Sequence, residues 1–409
     1  MLKFPEGFLW GASCSSYQVE GNNNNSDWRE WEIKSGKQRS GDACKHYQLY
    51  EKDFEIARSL NHNAHRLSLE WARIQPTADE FSSEEIKHYA QVLDALKKRG
   101  IKPVVTLHHF TNPLWFAAIG GWLCPKSAEY FAKYVHYVVE HLGEKVCYWV
   151  TINEPLVYSY HSFAVGAWPP QEKSFSKARQ VENNFALAHQ MAYRVIHDFY
   201  KKNNLPSAMV SIAHNIQAFV PCPGKMINAV ASFIRDKYYN YSFLNRLFRA
   251  KTLDYIGINY YTRQLVEMKG WLFRNLVLDV CTQNHSRLPK NYMGWDIYPQ
   301  GLLSLLCGMK KYNLPIVILE NGVCLEDDTL RWEFIRSHLE QVLEAIKQGA
   351  KVKGYFYWSL LDNFEWDKGF APRFGLVKVD YNTFEREIRP SALKYALVCK
   401  ENCLSRRPD

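Results

Sequence analysis

Several signatures are missing from this chain of 409 residues, and each absence narrows what it can be. No uninterrupted apolar run is long enough to cross a bilayer, so a membrane association is not expected. The opening MLKFPEGFLWG meets Pro5 and Gly7 before a signal-peptide core could form, and no secretory leader is expected either. The formal charge of +9 is modest, and the basic residues are scattered, as at Lys97, Lys98, Arg99 and Lys310, Lys311. With no basic helix or stripe, nucleic acid is not an expected partner. The ten cysteines, Cys14, Cys44, Cys124 and Cys147 among them, form no C-x-x-C pair. They read as small apolar residues of a cytoplasmic protein, not as metal ligands. H-E-x-x-H, the P-loop, G-x-G-x-x-G after a strand and G-x-S-x-G are all absent, which leaves zinc hydrolysis, nucleotide chemistry and serine hydrolysis without a signal. No cofactor is implied. No linker rich in Pro or Ser divides the chain, so residues 1–409 read as one domain.

What is present is a repeated apolar run. FLWGASCSSYQ, AHRLSLEW, KPVVTLHHF, CYWVTINEP, AMVSIAHNI, LDYIGINYY, PIVILENG and VKGYFYWSLLDN are nearly continuous in hydrophobicity, as in strands buried on both faces of a parallel sheet. Helical patterns lie between them. Ser82 and Ser83 with Glu85 make a capping box before the stripe Ile86, Tyr89, Leu93, Leu96, and Gly100 ends it. A second stripe (Tyr130, Tyr134, Val138, Leu142) precedes Gly143, and a third (Trp332, Ile335, Leu339, Val342, Ile346) precedes Gly349. Strands alternating with helices predict right-handed βαβ units, and eight of them predict an α/β fold: a closed (β/α)8 TIM barrel with loop insertions at its C-terminal face. Residues 201–251 carry the poorest periodicity, and Asn22 to Asn25 read as an exposed loop tip.

In such a barrel, polar residues at the C-terminal strand ends face the active site. The rule selects Gln18, Arg66, His108 and His109, Asn153 and Glu154, Asn259 and Tyr261, Glu320, Trp358 and the stretch Asp362 to Trp366. Two carboxylates, Glu154 and Glu320, end different strands, each beside an Asn. A pair of that kind is what glycosidic cleavage needs, one to protonate the departing oxygen and one to attack or to activate water. The plainer reading of either is an ion pair with Arg66. Trp168, Trp295, Trp358, Trp366 and Phe374 offer apolar platforms for the C–H face of a pyranose, whereas Trp10, Trp71 and Trp149 read as core. Because successive side chains of a strand alternate, one of His108 and His109 is expected to face the site and the other to pack outward.

With these motifs in order, from FPEGFLWGASCSSYQVEG through HRLSLEWARIQP, TINEP, INYYT, MGWDIYPQGL and ILENG to YFYWSLLDNFEW and RFGLVKVDY, the chain resembles the family 1 glycoside hydrolases, the β-glucosidase-like retaining enzymes. The resemblance implies Glu154 as acid/base, Glu320 as nucleophile, Asn153 as the amide at the sugar 2-OH, and Arg66, Asn259 and Tyr261 around the nucleophile. It implies sugar binding by Gln18, His109, Trp358, Glu365, Trp366 and Phe374, with Trp295 on the aglycone side. It implies double displacement on a small-molecule β-glycoside, above all a β-glucoside, with β-galactosides or β-fucosides tolerated. Phe110 stands where the family usually has Trp, Thr111 and Asn112 replace the usual Asp-Leu, which alters the hydrogen bonding expected near the sugar 3-OH, and Leu319 replaces a frequent Thr. The chain is also short between Pro206 and Asp254.

Two alternatives stand beside this reading. A 6-phospho-β-glucosidase would carry a Ser and a Lys-x-Tyr cluster in the loop that here reads DKGFAPRFG, where Lys368 has no such companions. A non-catalytic sugar-binding barrel would be marked by loss of a glutamate, and both are present. Two local features are expected. The Trp358–Ser359 bond should be cis, as in the family. The pleat should fail at Asn153 and Glu154, since both are wanted in one site and Pro155 excludes Glu154 from the right-handed helical region.

Overall fold

The computed structural model describes residues 2–268 and 286–405. Its centre is a closed barrel of eight parallel strands. They are β1 (Leu9–Ser13), β2 (Ala64–Ser68), β3 (Lys102–His108), β4 (Tyr148–Asn153), β5 (Met209–Pro221), β6 (Ile256–Val266), β7 (Ile316–Asn321) and β8 (Val352–Trp358). Every one falls on an apolar run that the sequence marks. Both faces of each strand are covered, which is why alternation is absent. The principal crossover helices are α1 (His46–Ser59), α2 (Ser83–Lys98), α3 (Ser127–Leu142), α4 (Phe175–Lys202), α5 (Ile227–Asp236), α6 (Pro299–Met309) and α7 (Asp328–Lys347), and α8 (Pro390–Glu401) follows β8. Ser82 caps α2 by accepting from the Glu85 amide at 3.1 Å, and Gly100 and Gly349 take the positive φ that ends α2 and α7.

Two apolar layers separate. Inside the barrel Leu9, Ala64, Val104, Val150, Ala213, Tyr255, Val317, Leu319 and Phe356 plug the lower half, large rings opposite small residues. Outside, the second face of the strands joins the helices in one continuous core that includes Trp10, Trp71 and Trp149. With the lower barrel filled, any site is confined to the C-terminal mouth.

Residues 201–251, the hardest stretch to read, become the long strand β5, the short helix α5, a π-helical turn Lys237–Ser242 and a further helical segment Phe243–Arg249. A five-residue turn repeat inside a helix breaks the 3.6-residue pattern, which explains the weak periodicity. Two expectations are corrected. Asn22 and Asn24 are exposed as expected, but Asn23 is buried, and Asn25 is half-buried and donates to the carbonyls of Ala72 and Pro76 at 3.1 and 3.0 Å, so the Asn run is only in part an exposed tip. Cys222 is disulfide-bonded, against the reading of the cysteines as free small hydrophobes.

Candidate active site

At the mouth of the barrel lies a cavity of about 540 Å³, lined among others by His109, Asn153, Glu154, Tyr261, Trp295, Glu320, Trp358, Glu365, Trp366 and Phe374. That is a size suited to a small molecule. The convergence of Asn153 and Glu154 on it depends on a failure of the pleat. Val150 belongs to the inner plug, Thr151 turns out to bond His189 of α4 at 2.7 Å, Ile152 sits in the outer core, and Asn153 faces in again. The β4–β5 register shifts between Val150 and Asn153. Glu154 then takes left-handed backbone angles (φ 43, ψ 60), and Pro155 starts a short helix at its first position. Neighbours that a regular strand would send apart thus share one cavity.

Glu320 reaches the cavity by a similar device. Leu319 packs in the inner plug, the β7–β8 register shifts between Ile318 and Asn321, and Glu320 also faces the cavity. Gly322 permits this, since a Cβ there would collide with the carbonyl oxygen of Trp358. The Trp358–Ser359 bond is cis, as expected.

The two carboxyls differ in their partners. Glu320 Oε1 is ion-paired with Arg66 Nη1, and its Oε2 accepts from the Tyr261 hydroxyl at 2.6 Å. Arg66 is fully buried, and its Nη2 donates to Asn153 Oδ1 at 2.7 Å. Among the described residues Glu154 has no such cation. Its Oε1 accepts from Asn215 Nδ2 at 2.8 Å and from Asn259 Nδ2 at 2.9 Å. Burial first, and the Glu320 charge second, raise the Glu154 carboxyl to about 7, against the partial opposition of those two amides. Burial is the larger cause, because the pleat failure draws Glu154 into the mouth.

His109 is the histidine that faces in. Asn153 Oδ1 is taken by Arg66 and, at 3.2 Å, by Asn259, so the Asn153 amide nitrogen must be the group 3.0 Å from His109 Nε2. This makes Nε2 an acceptor and puts the ring proton on Nδ1. Burial and the Arg66 charge hold His109 well below its usual range, so the ring is neutral. His108 packs outward and pairs with Asn112 at 3.1 Å.

The walls gather the remaining expected residues. Trp358 and Trp366 flank the His109 ring at 6.0 and 5.9 Å, and Tyr261, Trp295 and Phe374 form a second aromatic group across the cavity. Glu365 faces the cavity, and its carboxyl is pushed up to about 8 by burial and then by the Glu320 charge. Gln18 stands behind it, donating to Glu365 Oε2 at 3.2 Å, and is itself fully buried. Arg66 and Asn259 likewise work from behind the carboxyls. Trp168 closes one end, with its indole donating to Asp367 at 3.0 Å. Phe110 lines the cavity, while Thr111 and Asn112 turn into the scaffold, to Glu70 at 2.9 Å and to Asp27 at 2.7 Å.

Sequence reasoning passed over Asn215, one of the two amides on Glu154. It lies in AMVSIAHNI, a run read only for its hydrophobicity; its place near the end of that run was the available signal, although the strand itself continues to Pro221. Tyr160, His161, Arg235, Tyr238 and Tyr239 also line the outer cavity. Four of these five come from two π-helical turns, Tyr160–Ala164 and Lys237–Ser242, and π turns leave no pattern to read. Among the described residues, no cluster of three or more His, Cys, Asp or Glu is arranged to hold a metal, and no helix is long and apolar enough to cross a membrane.

Comparison with known proteins agrees with this geometry. The model of Glycosyl hydrolase family 1 matches residues 1–251 and 243–404. A 1,4-beta-D-glucan glucohydrolase of Thermotoga neapolitana is 32% identical over 453 aligned positions, covering 99% of this chain and 100% of that protein. Among solved structures, a beta-glycosidase from Pyrococcus horikoshii superposes with a TM-score of 0.91 at 40% identity, over 98% of this chain and 96% of that one. A beta-glucosidase from Thermotoga maritima in complex with glucoimidazole superposes at 0.93 and 31% identity, over 99% and 100%.

Proposed function

Since the chain belongs to glycosyl hydrolase family 1, whose members retain anomeric configuration, we propose that it hydrolyses terminal β-D-glucosides by double displacement, with Glu320 as nucleophile and Glu154 as acid and then base. The observation that carries this is the contrast between two carboxyls in one cavity. Glu320 is ion-paired with Arg66 and accepts from the Tyr261 hydroxyl, partners that hold a carboxylate in place to attack. Glu154 is held up at about 7 and, among the described residues, accepts hydrogen bonds only from neutral amides, the state of a group that gives and takes a proton near neutrality.

In the first step Glu320 attacks the anomeric carbon as Glu154 protonates the departing oxygen. In the second, Glu154, now ionised and beside an esterified Glu320 that has lost its charge, takes a proton from water, which displaces Glu320 from the sugar. Asn153 keeps one amide hydrogen for the 2-OH after donating the other to His109. Glucosides are favoured by the activities of the Thermotoga relatives and by Glu365, whose carboxyl suits sugar hydroxyls and opposes a 6-phosphate; Lys368 nearby is paired with Asp367 at 2.7 Å.

The test is turnover of an aryl β-glucoside, its 6-phosphate and the matching β-galactoside and β-fucoside, with Glu154→Ala and Glu320→Ala variants and azide. Azide should restore turnover of an activated glucoside in both, giving the β-glucosyl azide with Glu154→Ala and the α-glucosyl azide with Glu320→Ala. The opposite products would exchange the two roles. Full activity of either variant without azide would sink the mechanism, and faster turnover of the 6-phosphate would move the enzyme to the phosphoglycosidase class.

A further inference from the structure

Both amides that reach Glu154 end on one oxygen, Oε1, and among the described residues no hydrogen bond reaches Oε2. An Asn amide can be turned end for end, and only one orientation offers a donor to a carboxylate. The orientation of Asn215 is set from the other side, where the Tyr239 hydroxyl donates to Asn215 Oδ1 at 2.8 Å. A three-member chain therefore runs from Tyr239 through Asn215 to Glu154.

The backbone holds Tyr239 in place for this. Tyr239 lies in the π-helical turn Lys237–Ser242, and its carbonyl accepts from His214 Nε2 at 3.0 Å. Asn240, the next residue, exchanges two hydrogen bonds with the main chain of Gln217, at 2.9 and 2.8 Å, and donates to Asp236 at 2.8 Å. The turn is thus clamped to β5 on both sides of Asn215. The ring of Tyr239 is buttressed by Phe219 at 5.6 Å.

Taking Glu154 as acid and base, we propose that Tyr239 is a positioning residue: its hydroxyl fixes the Asn215 amide so that Glu154 Oε1 is filled by donors and Oε2 carries the proton delivered to the glycosidic oxygen. Nothing is consumed in this. Protonated Glu154 gives its Oε2 proton to the leaving oxygen, recovers one from water in the second step, and Tyr239 and Asn215 keep theirs. The charged and titratable groups facing Glu154 are Glu320 from β7, Arg66 from β2, Glu365 from the segment after β8, and the phenols of Tyr261 and Tyr239; Tyr160 adjoins Tyr239. Of these, only Tyr239 reaches Glu154 through Asn215.

Hydrogen bonds from amides favour the ionised carboxyl. Loss of the Tyr239 hydroxyl frees Asn215 to turn, so the Glu154 carboxyl should rise and become a poorer-placed proton carrier. The experiment is the pH profile of kcat/KM for Tyr239→Phe, Asn215→Ala and the double variant, with aryl glucosides of good and poor leaving groups. Tyr239→Phe should move the basic limb upward by about half a pH unit and lower kcat/KM roughly tenfold for poor leaving groups, with little loss for good ones. In the Asn215→Ala background the same change should add nothing further. A merely structural Tyr239 would not discriminate between leaving groups. Site-specific 3-fluorotyrosine at 239, a stronger donor of nearly the same shape, should move the limb downward, and it stands in should the Phe variant not fold. An unmoved limb with both substitutions, or an equal loss in the Asn215→Ala background, overturns the proposal. If instead the basic limb survives in Glu154→Gln, the assignment of Glu154 itself fails, which is a separate outcome.

Discussion

Sugar binding should drive a proton out of the protein at neutral pH, and Glu365 is its source. In the empty cavity burial and the charge of Glu320 hold the Glu365 carboxyl at about 8. At pH 7 such a group is protonated in about nine-tenths of the molecules. Hydroxyls of a bound glucoside donate to it and favour the carboxylate, lowering its pKa. If the bound value returns to the ordinary carboxylate range, about 0.9 proton leaves per site filled at pH 7. The sign follows directly. A group whose pKa falls on binding makes affinity grow with pH, by up to about tenfold per unit between roughly pH 5 and 8, and flat outside that window. The assay is calorimetric titration of an uncharged thioglucoside in buffers of differing ionisation enthalpy. A Glu154→Gln background is needed, because Glu154 titrates at about 7 in the same range. Glu365→Gln should abolish the release. No proton exchange at pH 7, or equal release from the Glu365→Gln variant, would refute the reasoning.

Other consequences are simpler to measure. The basic limb of kcat/KM for the free enzyme should fall near pH 7, from Glu154, and should vanish in Glu154→Gln with an activated substrate. Arg331 is fully buried and donates to the carbonyls of Val323, Phe374 and Arg373 at 2.7, 3.0 and 3.0 Å. Arg331→Met leaves these oxygens without their donor and should cost at least about 3 kcal/mol in denaturant unfolding, with a raised KM because Phe374 lines the cavity. Asp53 is buried, which opposes its ionisation, but hydrogen bonds from His46 and Arg386 outweigh this and lower its pKa. Its contribution to stability is therefore present above the unfolded value of about 3.9 and is lost as pH falls through the lower folded value. Asp53→Asn should cost roughly 3–5 kcal/mol at pH 7 and flatten the acid end of the stability profile; an unchanged profile would count against the pairing.

The barrel was legible because its strands are buried on two faces, which leaves continuous apolar runs that no surface helix would show. Glu154 and Glu320 could be read as facing the cavity because each closes such a run beside an Asn. Asn215 was not, although it stands near the end of the apolar run AMVSIAHNI, because β5 continues past it to Pro221 and a lone amide carries no chemistry until the carboxyl beside it is seen. Tyr160, His161, Tyr238 and Tyr239 were hidden for another reason: a helical pattern read at 3.6 residues per turn mistakes a π turn for noise. Nor could spacing show that Asn25 supports Ala72 and Pro76, since a run of four asparagines looks the same whether it hangs in water or braces a loop.

The two π turns also bear on how this chain came to its length. It aligns to a relative over 453 positions with only 409 residues of its own. Yet beside the cavity each of two helices keeps one residue more than an α-helical turn requires. Removing a single residue from 237–242 would shorten the gene by one codon and restore a regular helix. Removal of residue 237 or 238 would also rotate everything after the cut by about 100° and take Tyr239 out of reach of Asn215. In each π turn one residue decides which side chains look inward.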